Sequence, residues 1–466
     1  MSVFNPLTSD YSTQLFAAIG KKLYLNSESA DVHFVFESND DIERVPAHKM
    51  LLMAASNVFV TMFNGSWKEM DKVKIGDVSA SAFKEFLQFF YIGQVKLTME
   101  NVAAVMNLGE MYNVTECLAV CTKFLKNNLN DENVCSNYEL AIFLNQERLK
   151  KACEIFIGLN IKAVFKSTDF QTCDRKMLAQ ILKLNWMSCT EVELFVACMT
   201  WVKSASKQDV LTKEIVQAHL GDLFHEIRFG SMSLPDFSAL IPTYGSTFSF
   251  DEHQEIIQII ADPTFQPTIL SGDRVERCHS SEPWHRNRKI LCDRLISSYG
   301  SSEPYKIESI ETTVFSTNES LLLRAIDCPQ VLVYMRGLNY CAHYHDMPTK
   351  VVIVEVADSE KEVILYSANE ILNRRRNVRI FLTKPILVRP GFMYKIRLEN
   401  GLPDEYDCHA GGLLKTSVEL ESGIIIQFHR DCVDDFEDDS DIGTGFLEDD
   451  PDIGRGLIEG LHFYII

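Results

Sequence analysis

The chain has 466 residues and carries 65 acidic residues against 45 Lys and Arg, a formal net charge of −20. This length exceeds one ordinary domain core and predicts roughly three domains. The acidic balance argues against a nucleic-acid partner, because proteins that bind a phosphate backbone present clustered Lys and Arg.

The chain contains 13 cysteines, but its first residues, MSVFNPLTSDYSTQ, lack the charged start and apolar core of a signal peptide. No apolar run approaches the ~20 residues needed to span a bilayer. We therefore expect a cytoplasmic protein with reduced thiols and no membrane partner, and a nuclear pool is compatible with this expectation.

Residues 21–130 mix short strands with amphipathic helices, after an N-terminal segment at 1–20. Val32, Phe34 and Phe36 alternate in DVHFVFE, which predicts a half-buried strand. Pro46 is expected to open a helix at its first turn. The apolar residues that follow at helical spacing are Leu51, Leu52, Ala55, Phe59 and Phe63.

A second short strand is predicted at Val73 and Ile75, and another helix carries Phe83, Phe86 and Phe90 on one side. From about 131 to 245 strand signals vanish, and Thr190 with Glu193 has the spacing of a capping box. This middle segment is predicted to be all-helical.

Residues 246–300 are rich in Pro, Gly and Ser and are predicted to be an irregular linker. Beyond them, residues 301–466 contain short β-rich runs separated by turn residues, which predict a β-sandwich. These runs include SLLLRAI, QVLVYMR, KVVIVEVA, KEVILYS, VRIFLT, FMYKIRL, GIIIQFH and LHFYII.

Several segments resemble known domains. VPAHKMLLMAASNVFVTMFNG and AFKEFLQFFYIGQV resemble a BTB/POZ domain at 21–130, and IFLNQERLKKACEIFIGLNI with VELFVACMTWV resembles a BACK domain at 131–245. TTVFSTNESLLLRAI and GRGLIEGLHFYII resemble strands of a PHR-like domain at 301–466. The resemblance implies a multidomain α+β protein: an α/β BTB/POZ domain, an all-helical BACK domain and a C-terminal antiparallel β-sandwich.

The resemblance also implies a homodimer. It assigns Asp31 and Lys49 to a charged pocket at the BTB dimer interface, although a turn residue and a solvated lysine would fit the same sequence. An apolar stripe ahead of the first strand is suited to packing on a partner copy. The residues of this stripe are Leu15, Phe16, Ile19 and Leu23.

Cullin-binding BTB proteins carry a hydrophobic-X-Glu motif where this chain has Trp67-Lys68-Glu69. The resemblance therefore implies cullin-3 as a partner, with Trp67 as an apolar anchor and Glu69 setting register. A locally packed loop is the alternative. Support is expected from the early BACK helices at Tyr138, Leu140 and Phe143.

No side-chain set predicts catalysis, a cofactor or a metal. His48 is interpreted as structural. Cys341, His343 and His345 alternate as ligands can, but a fourth ligand is missing, and Cys117 with Cys121 has no CxxC or His partner. Buried or half-buried thiols explain these cysteines better than zinc.

Two charged runs complete the set of motifs. Arg374, Arg375, Arg376 and Arg379 are interpreted as a solvated turn, with a localisation or docking patch as the alternative. The acidic run at 431–452 is interpreted as a disordered loop, with a docking site for a basic partner as the alternative.

The leading hypothesis is a non-enzymatic, homodimeric substrate adaptor of a cullin-3 RING ubiquitin ligase, whose C-terminal domain binds an unknown substrate protein. One rival is a BTB dimeric scaffold or transcription-associated adaptor that does not engage cullin. The other is an enzyme whose site lies in the sandwich, which depends on Cys341, His343 and His345 alone.

Overall fold

The chain divides into two compact units, Met1–Cys278 and His279–Ile466. The computed structural model describes most of the first unit and the strands of the second. The described residues are 9–38, 41–64, 71–76, 78–93, 95–277, 288–295, 305–306, 309–329, 331–335, 346–356, 361–372, 377–402, 406–410, 414–420, 423–429, 453–454 and 457–465.

The first unit begins with a small sheet surrounded by helices. Strands β1 (Val32–Ser38), β2 (Asp41–Ala47) and β3 (Lys72–Ile75) have the order β2-β1-β3, and β1 runs antiparallel to β2 but parallel to β3. The helices of this part are α1 (Ser9–Leu23), α2 (Lys49–Ala55), α3 (Asn57–Asn64), α4 (Ala80–Ile92), α5 (Val102–Met111) and α6 (Thr115–Asn127).

The prediction that Pro46 opens a helix is wrong. Pro46 lies in β2 opposite His33, on an outer strand where a missing N–H group is tolerated. The helix starts only at Lys49, and the extended backbone of Ser56 (φ −147°) divides it into α2 and α3. Ser56 compensates for this break because its hydroxyl donates to the Tyr112 carbonyl at 2.5 Å.

An aromatic cluster forms the core of this part. Phe59 stacks on Tyr112 with ring centroids 4.3 Å apart, and Phe34 lies 4.6 Å from Phe83. Phe34, Phe59 and Phe83 are fully buried, as the strand and helix periodicities predict. The rings link β1 to helices α3, α4 and the end of α5, so this part folds around one apolar centre.

Between Val134 and Ala261 all the regular secondary structure is helical, as predicted for 131–245, and the capping box of Thr190 and Glu193 is present at the start of α11. The helices are α7 (Val134–Phe143), α8 (Glu147–Val164), α9 (Thr168–Thr172), α10 (Arg175–Leu182), α11 (Glu191–Ser206), α12 (Lys213–His219), α13 (Leu234–Tyr244) and α14 (Phe250–Ala261).

The predicted linker at 246–300 is wrong over much of its length. Helix α14 occupies 250–261 and begins with a capping box of Ser249 and Glu252. Residues 262–277, which we call the strap, have no helix or strand but remain in the first unit. The buried Glu255 carboxylate accepts backbone N–H bonds from Thr268, Ile269 and Leu270, and these bonds hold the strap to α14.

The end of the strap inserts a buried charge into the helices. Arg277 Nε lies 3.2 Å from the Glu191 carboxylate, and both side chains are almost fully buried. The same guanidinium donates to the carbonyls of Leu182 and Leu184 at 2.7 Å and of Glu226 at 3.0 Å. Three segments distant in sequence are thereby joined at one residue.

The second unit is built from antiparallel sheets. A six-stranded sheet has the order β10-β9-β12-β6-β16-β15, and a four-stranded sheet has the order β11-β7-β18-β4. Shorter sheets have the orders β5-β13-β8 and β14-β17. The strands are β4 (Lys289–Asp293), β5 (Tyr305–Lys306), β6 (Ile310–Thr317), β7 (Leu321–Cys328), β8 (Leu332–Met335), β9 (Met347–Val356), β10 (Glu362–Leu372), β11 (Val378–Val388), β12 (Met393–Asn400), β13 (Tyr406–Ala410), β14 (Leu414–Lys415), β15 (Ser417–Leu420), β16 (Ile424–His429), β17 (Ile453–Gly454) and β18 (Gly460–Ile465).

The two larger sheets share one apolar core. Phe315, Ile353 and Ile396 come from the six-stranded sheet, and Leu323 and Phe463 come from the four-stranded sheet. The rings of Phe315 and Phe463 lie 6.4 Å apart across the interface. The antiparallel β-sandwich predicted from the alternating runs is therefore present, and each of the eight predicted runs corresponds to a strand.

Candidate protein-interaction surfaces

Helix α1 divides its predicted apolar stripe between the core and the surface. Gly20 is buried, and a Cβ atom at this position would overlap the Tyr91 carbonyl, so this side of α1 packs tightly on the end of α4. Leu23 is half-buried, whereas Leu15 and Ile19 are 52% and 46% exposed. Leu15 and Ile19 are therefore open to a partner, and the Phe16 side chain lies outside the described residues.

Asp31 and Lys49 meet at the start of α2. The Asp31 carboxylate accepts a hydrogen bond from the Lys49 backbone N–H at 2.7 Å. A negative charge at this place is favourable, because the N-terminus of a helix carries a partial positive charge. The Lys49 ammonium lies 5.4 Å from the centre of the Phe63 ring. The two residues are close, as predicted, but their described contact runs through the backbone, and their role in a dimer stays a prediction.

His48 has the hydrogen bonds of a structural histidine. Its ring nitrogens lie 2.8 Å from the Tyr91 hydroxyl and 2.9 Å from the Ser29 hydroxyl, and its backbone N–H also donates to Tyr91. Burial raises the pKa of Tyr91 to about 12, so this hydroxyl stays protonated. The network connects α2, α4 and the turn before β1.

The residues predicted to contact cullin differ in exposure. Phe143, at the end of α7, is 76% exposed, and Leu140 is half-buried. Tyr138 is 1% exposed and donates its hydroxyl to Glu154 on α8 at 2.9 Å. Tyr138 therefore holds α7 to α8 and does not present its ring to a partner, which corrects the prediction; it belongs to the buried stripe of α7. Trp67 and Glu69 lie outside the described residues.

The predicted thiol positions show no metal site within the described part of the chain. Cys117 and Cys121 are fully buried on α6, and a hydrogen bond between them lowers the pKa of Cys117 and raises that of Cys121. Among the described residues, no group of three or more His, Cys, Asp or Glu side chains could hold a metal ion. Cys341, His343 and His345 lie outside these residues.

Arg379 is not part of a solvated turn, which corrects that interpretation for this residue. It lies in β11 and donates two hydrogen bonds, at 2.7 and 3.0 Å, to the Asp327 carboxylate, while His462 Nε2 lies 2.7 Å from the same group. Although burial alone would raise the pKa of Asp327, these partners hold it below its usual value. Arg374, Arg375, Arg376 and the acidic run at 431–452 lie outside the described residues.

In the part of the chain that the structure describes, none of the helices has both the length and the apolar character needed to cross a membrane.

Family models match the first unit. The model described as BTB/POZ domain matches residues 21–129, and the model described as BTB And C-terminal Kelch, or BACK, matches residues 134–241. The first match contains the small sheet and helices α2 to α6, and the second contains helices α7 to α12 and most of α13. The N-terminal half of the chain therefore carries a BTB/POZ domain and a BACK domain, and a C-terminal antiparallel β unit follows them.

Relatives carry related names. The chain is 29% identical over 219 residues to BTB/POZ domain-containing protein 3 of Homo sapiens, covering 46% of this chain and 42% of that protein. It is 28% identical to BTB/POZ domain-containing protein 6-A of Danio rerio, covering 46% of this chain and 41% of that protein. The match thus spans less than half the length of these relatives. Among solved structures, the BTB domain of human gigaxonin is 21% identical, with a TM-score of 0.23, and the match covers 27% of this chain and 99% of that domain.

BTB domains generally mediate protein–protein contacts and dimerisation, and BTB–BACK pairs are typical of non-catalytic cullin-3 adaptors. In this chain, Leu15 and Ile19 are exposed on α1, most of which precedes the matched BTB residues, and Phe143 is exposed on α7 of the BACK domain. The arrangement offers surfaces for binding other proteins.

Proposed function

We propose that this chain is a homodimeric substrate-recognition adaptor of a cullin-3 RING ubiquitin ligase that works in the cytoplasm. The BTB and BACK domains bind the cullin, and the PHR-like sandwich binds the substrate. The observation that carries this proposal is the BTB–BACK pair followed by a separate β unit with its own core.

The adaptor performs no chemistry itself. By binding a substrate and a cullin in one chain, it raises the effective concentration of the substrate near the ubiquitin-transfer machinery. A dimer doubles the number of binding sites in one assembly. The exposed Leu15 and Ile19 on α1 support the dimer, because packing against a second α1 would remove both side chains from water.

Phe143 supports the cullin contact on the BACK side. An aromatic side chain that is 76% exposed buries a large apolar area when a partner covers it, and aromatic residues dominate many interface energies. Its position at the end of α7 leaves the buried stripe of that helix undisturbed. Replacing Phe143 should therefore change binding and leave the fold intact.

The test is calorimetric titration of the full chain with the N-terminal region of cullin-3. Phe143→Ala should weaken binding by about 2 kcal/mol, roughly thirtyfold. Phe250→Ala is the matched control, because Phe250 is 81% exposed on α14 of the same unit. A Trp67→Ala, Glu69→Ala double variant tests the other predicted contact.

The outcomes separate the hypotheses. Equal affinities for wild type and Phe143→Ala would remove α7 from the contact, and equal affinities for the double variant would remove the loop. Absence of binding by the wild type would refute the ligase adaptor and leave the BTB scaffold or transcription-associated adaptor.

A further inference from the structure

The four outer strands of the two larger sheets are protected to very different degrees. Strands β15 and β4 are short, with four and five residues. Strand β11 contains Lys384 and Pro385, and its pairing with β7 is interrupted between Phe381 and Ile386. Short length, Lys, Pro and bulges are the devices by which proteins block unwanted strand pairing at sheet edges.

Strand β10 has few of these devices. It is 11 residues long, contains neither Pro nor Lys, and among the described strands pairs only with β9. It has one irregularity, between Ile364 and Tyr366, and most of the strand keeps a regular register with β9. The alternate backbone N–H and C=O groups of an outer strand point away from the sheet, so β10 presents hydrogen-bonding groups to an incoming strand.

Four apolar side chains of β10 are exposed, namely Val363, Ile364, Leu365 and Ile371, and Ile364 and Ile371 are the most exposed of them. Ile364 lies opposite Val354 and is 68% exposed, and Ile371 lies opposite Pro348 and is 59% exposed. Tyr366 and Leu372 instead point into the core. Ile364 and Ile371 therefore lie near the two ends of this outer strand of the described sheet, on the face away from the core.

The two acidic residues of this strand lie toward its ends, so the exposed side chains at its centre carry no charge. Glu362, at the start of β10, accepts a hydrogen bond from Arg397 and lies 3.6 Å from the Lys395 ammonium, and these partners hold its pKa below the usual value. Glu370 is half-buried opposite Thr349. The centre of the strand exposes Ser367 and Asn369, which are uncharged. A charged partner segment would therefore find no opposite charge to pair with at the centre of this strand.

We propose that β10 binds an extended, uncharged segment of a partner protein, which adds to the six-stranded sheet as a further strand. Backbone hydrogen bonds supply the affinity, and Ile364 and Ile371 contact alternate β-branched side chains of the segment. This inference rests on the proposed function in one respect, because it takes the bound segment to be part of the substrate protein. The substrate would thus be recognised by an extended, uncharged segment that pairs with β10.

The test uses a phage-displayed library of random dodecapeptides selected on the full chain, followed by fluorescence anisotropy with capped synthetic peptides from the selection. The selected peptides should alternate β-branched and small polar residues and lack charge. The double variant Ile364→Lys, Ile371→Lys should weaken their binding tenfold or more. Leu291→Lys is the matched control, because Leu291 is 45% exposed on the outer strand β4.

Hydrogen exchange locates the site independently. Those amides of 362–372 that point away from β9 should exchange fast in the free chain and slow down when a selected peptide binds. Failure to enrich peptides, equal binding by the double variant and wild type, or charged selected sequences would each overturn the proposal. Slow exchange of these amides in the free chain would also overturn it, because a second copy or another part of the chain would then cover the edge.

The cullin titration keeps the two proposals apart. The Ile364→Lys, Ile371→Lys variant should bind the cullin region like wild type. If wild type binds the selected peptides but no cullin, the ligase adaptor fails and the strand-addition site stands.

Discussion

Arg277 should stabilise the first unit more than any surface arginine. Its side chain and that of Glu191 are 2% and 3% exposed, and the guanidinium also donates to the backbone carbonyls of Leu182, Leu184 and Glu226. Arg277→Met removes the charge, keeps much of the apolar volume, and leaves Glu191 buried without this ion pair. Breaking a buried pair in this way costs about 3–5 kcal/mol.

The assay is urea unfolding of the full chain followed by tryptophan fluorescence. Trp186 and Trp201 are buried in the same helical segment and report its unfolding. The matched control is Lys162→Met, because Lys162 pairs with Glu193 at the surface of the same helical segment, where the side chains are 60% and 39% exposed. Such pairs contribute about 0–1 kcal/mol. If both variants lose the same free energy of unfolding, the structural role of Arg277 is refuted.

Three further predictions concern other parts of the chain. Gly20→Ala should lower the free energy of unfolding by about 1–3 kcal/mol, because the new methyl group meets the Tyr91 carbonyl, and an unchanged melting temperature would contradict that packing. Leu15→Glu with Ile19→Glu should convert the proposed dimer to a monomer in light scattering at micromolar concentration, and a variant that keeps a dimeric mass would exclude α1 from the interface. Although burial alone would raise the pKa of Glu255, backbone N–H bonds from the strap hold it below its usual value. The stability that Glu255 adds over Glu255→Gln should therefore be complete above about pH 5 and fade as the pH falls through the lowered pKa, which urea titrations at several pH values can measure.

The sites were less predictable than the fold. The resemblance could not separate the exposure of Phe143 from the burial of Tyr138, because it assigns both residues of one short helix to the same contact. The helical spacing of Tyr138 with the apolar residues Val134 and Ala141 is a signal that could have indicated its burial.

For Arg379, no local spacing in the sequence could have indicated that its side chain pairs with an aspartate. Its partner Asp327 lies on β7, 52 residues away in the sequence. The two residues face each other only because β11 pairs with β7 in a register that places Arg379 opposite Asp327. A local run of positive charge therefore could not distinguish a solvated arginine from one that pairs across strands.

The sequence by itself determined the order of the domains and the strands of the sandwich. Alternating apolar residues mark a strand wherever it pairs, and an apolar stripe at helical spacing marks a helix whatever covers it. For this reason the runs that became β7, β9 and β18 could be recognised without knowledge of their neighbours.

Only the tertiary structure decided which strand lies at an edge and where the first unit ends. The place of β10 at the edge of the described six-stranded sheet depends on the order of six strands, which no local pattern encodes. The strap has no periodicity, and it is held by contacts such as that between Arg277 and Glu191, which are 86 residues apart. Periodicity reports the apolar face of one element, whereas a buried ion pair depends on which distant segments the folded chain brings together.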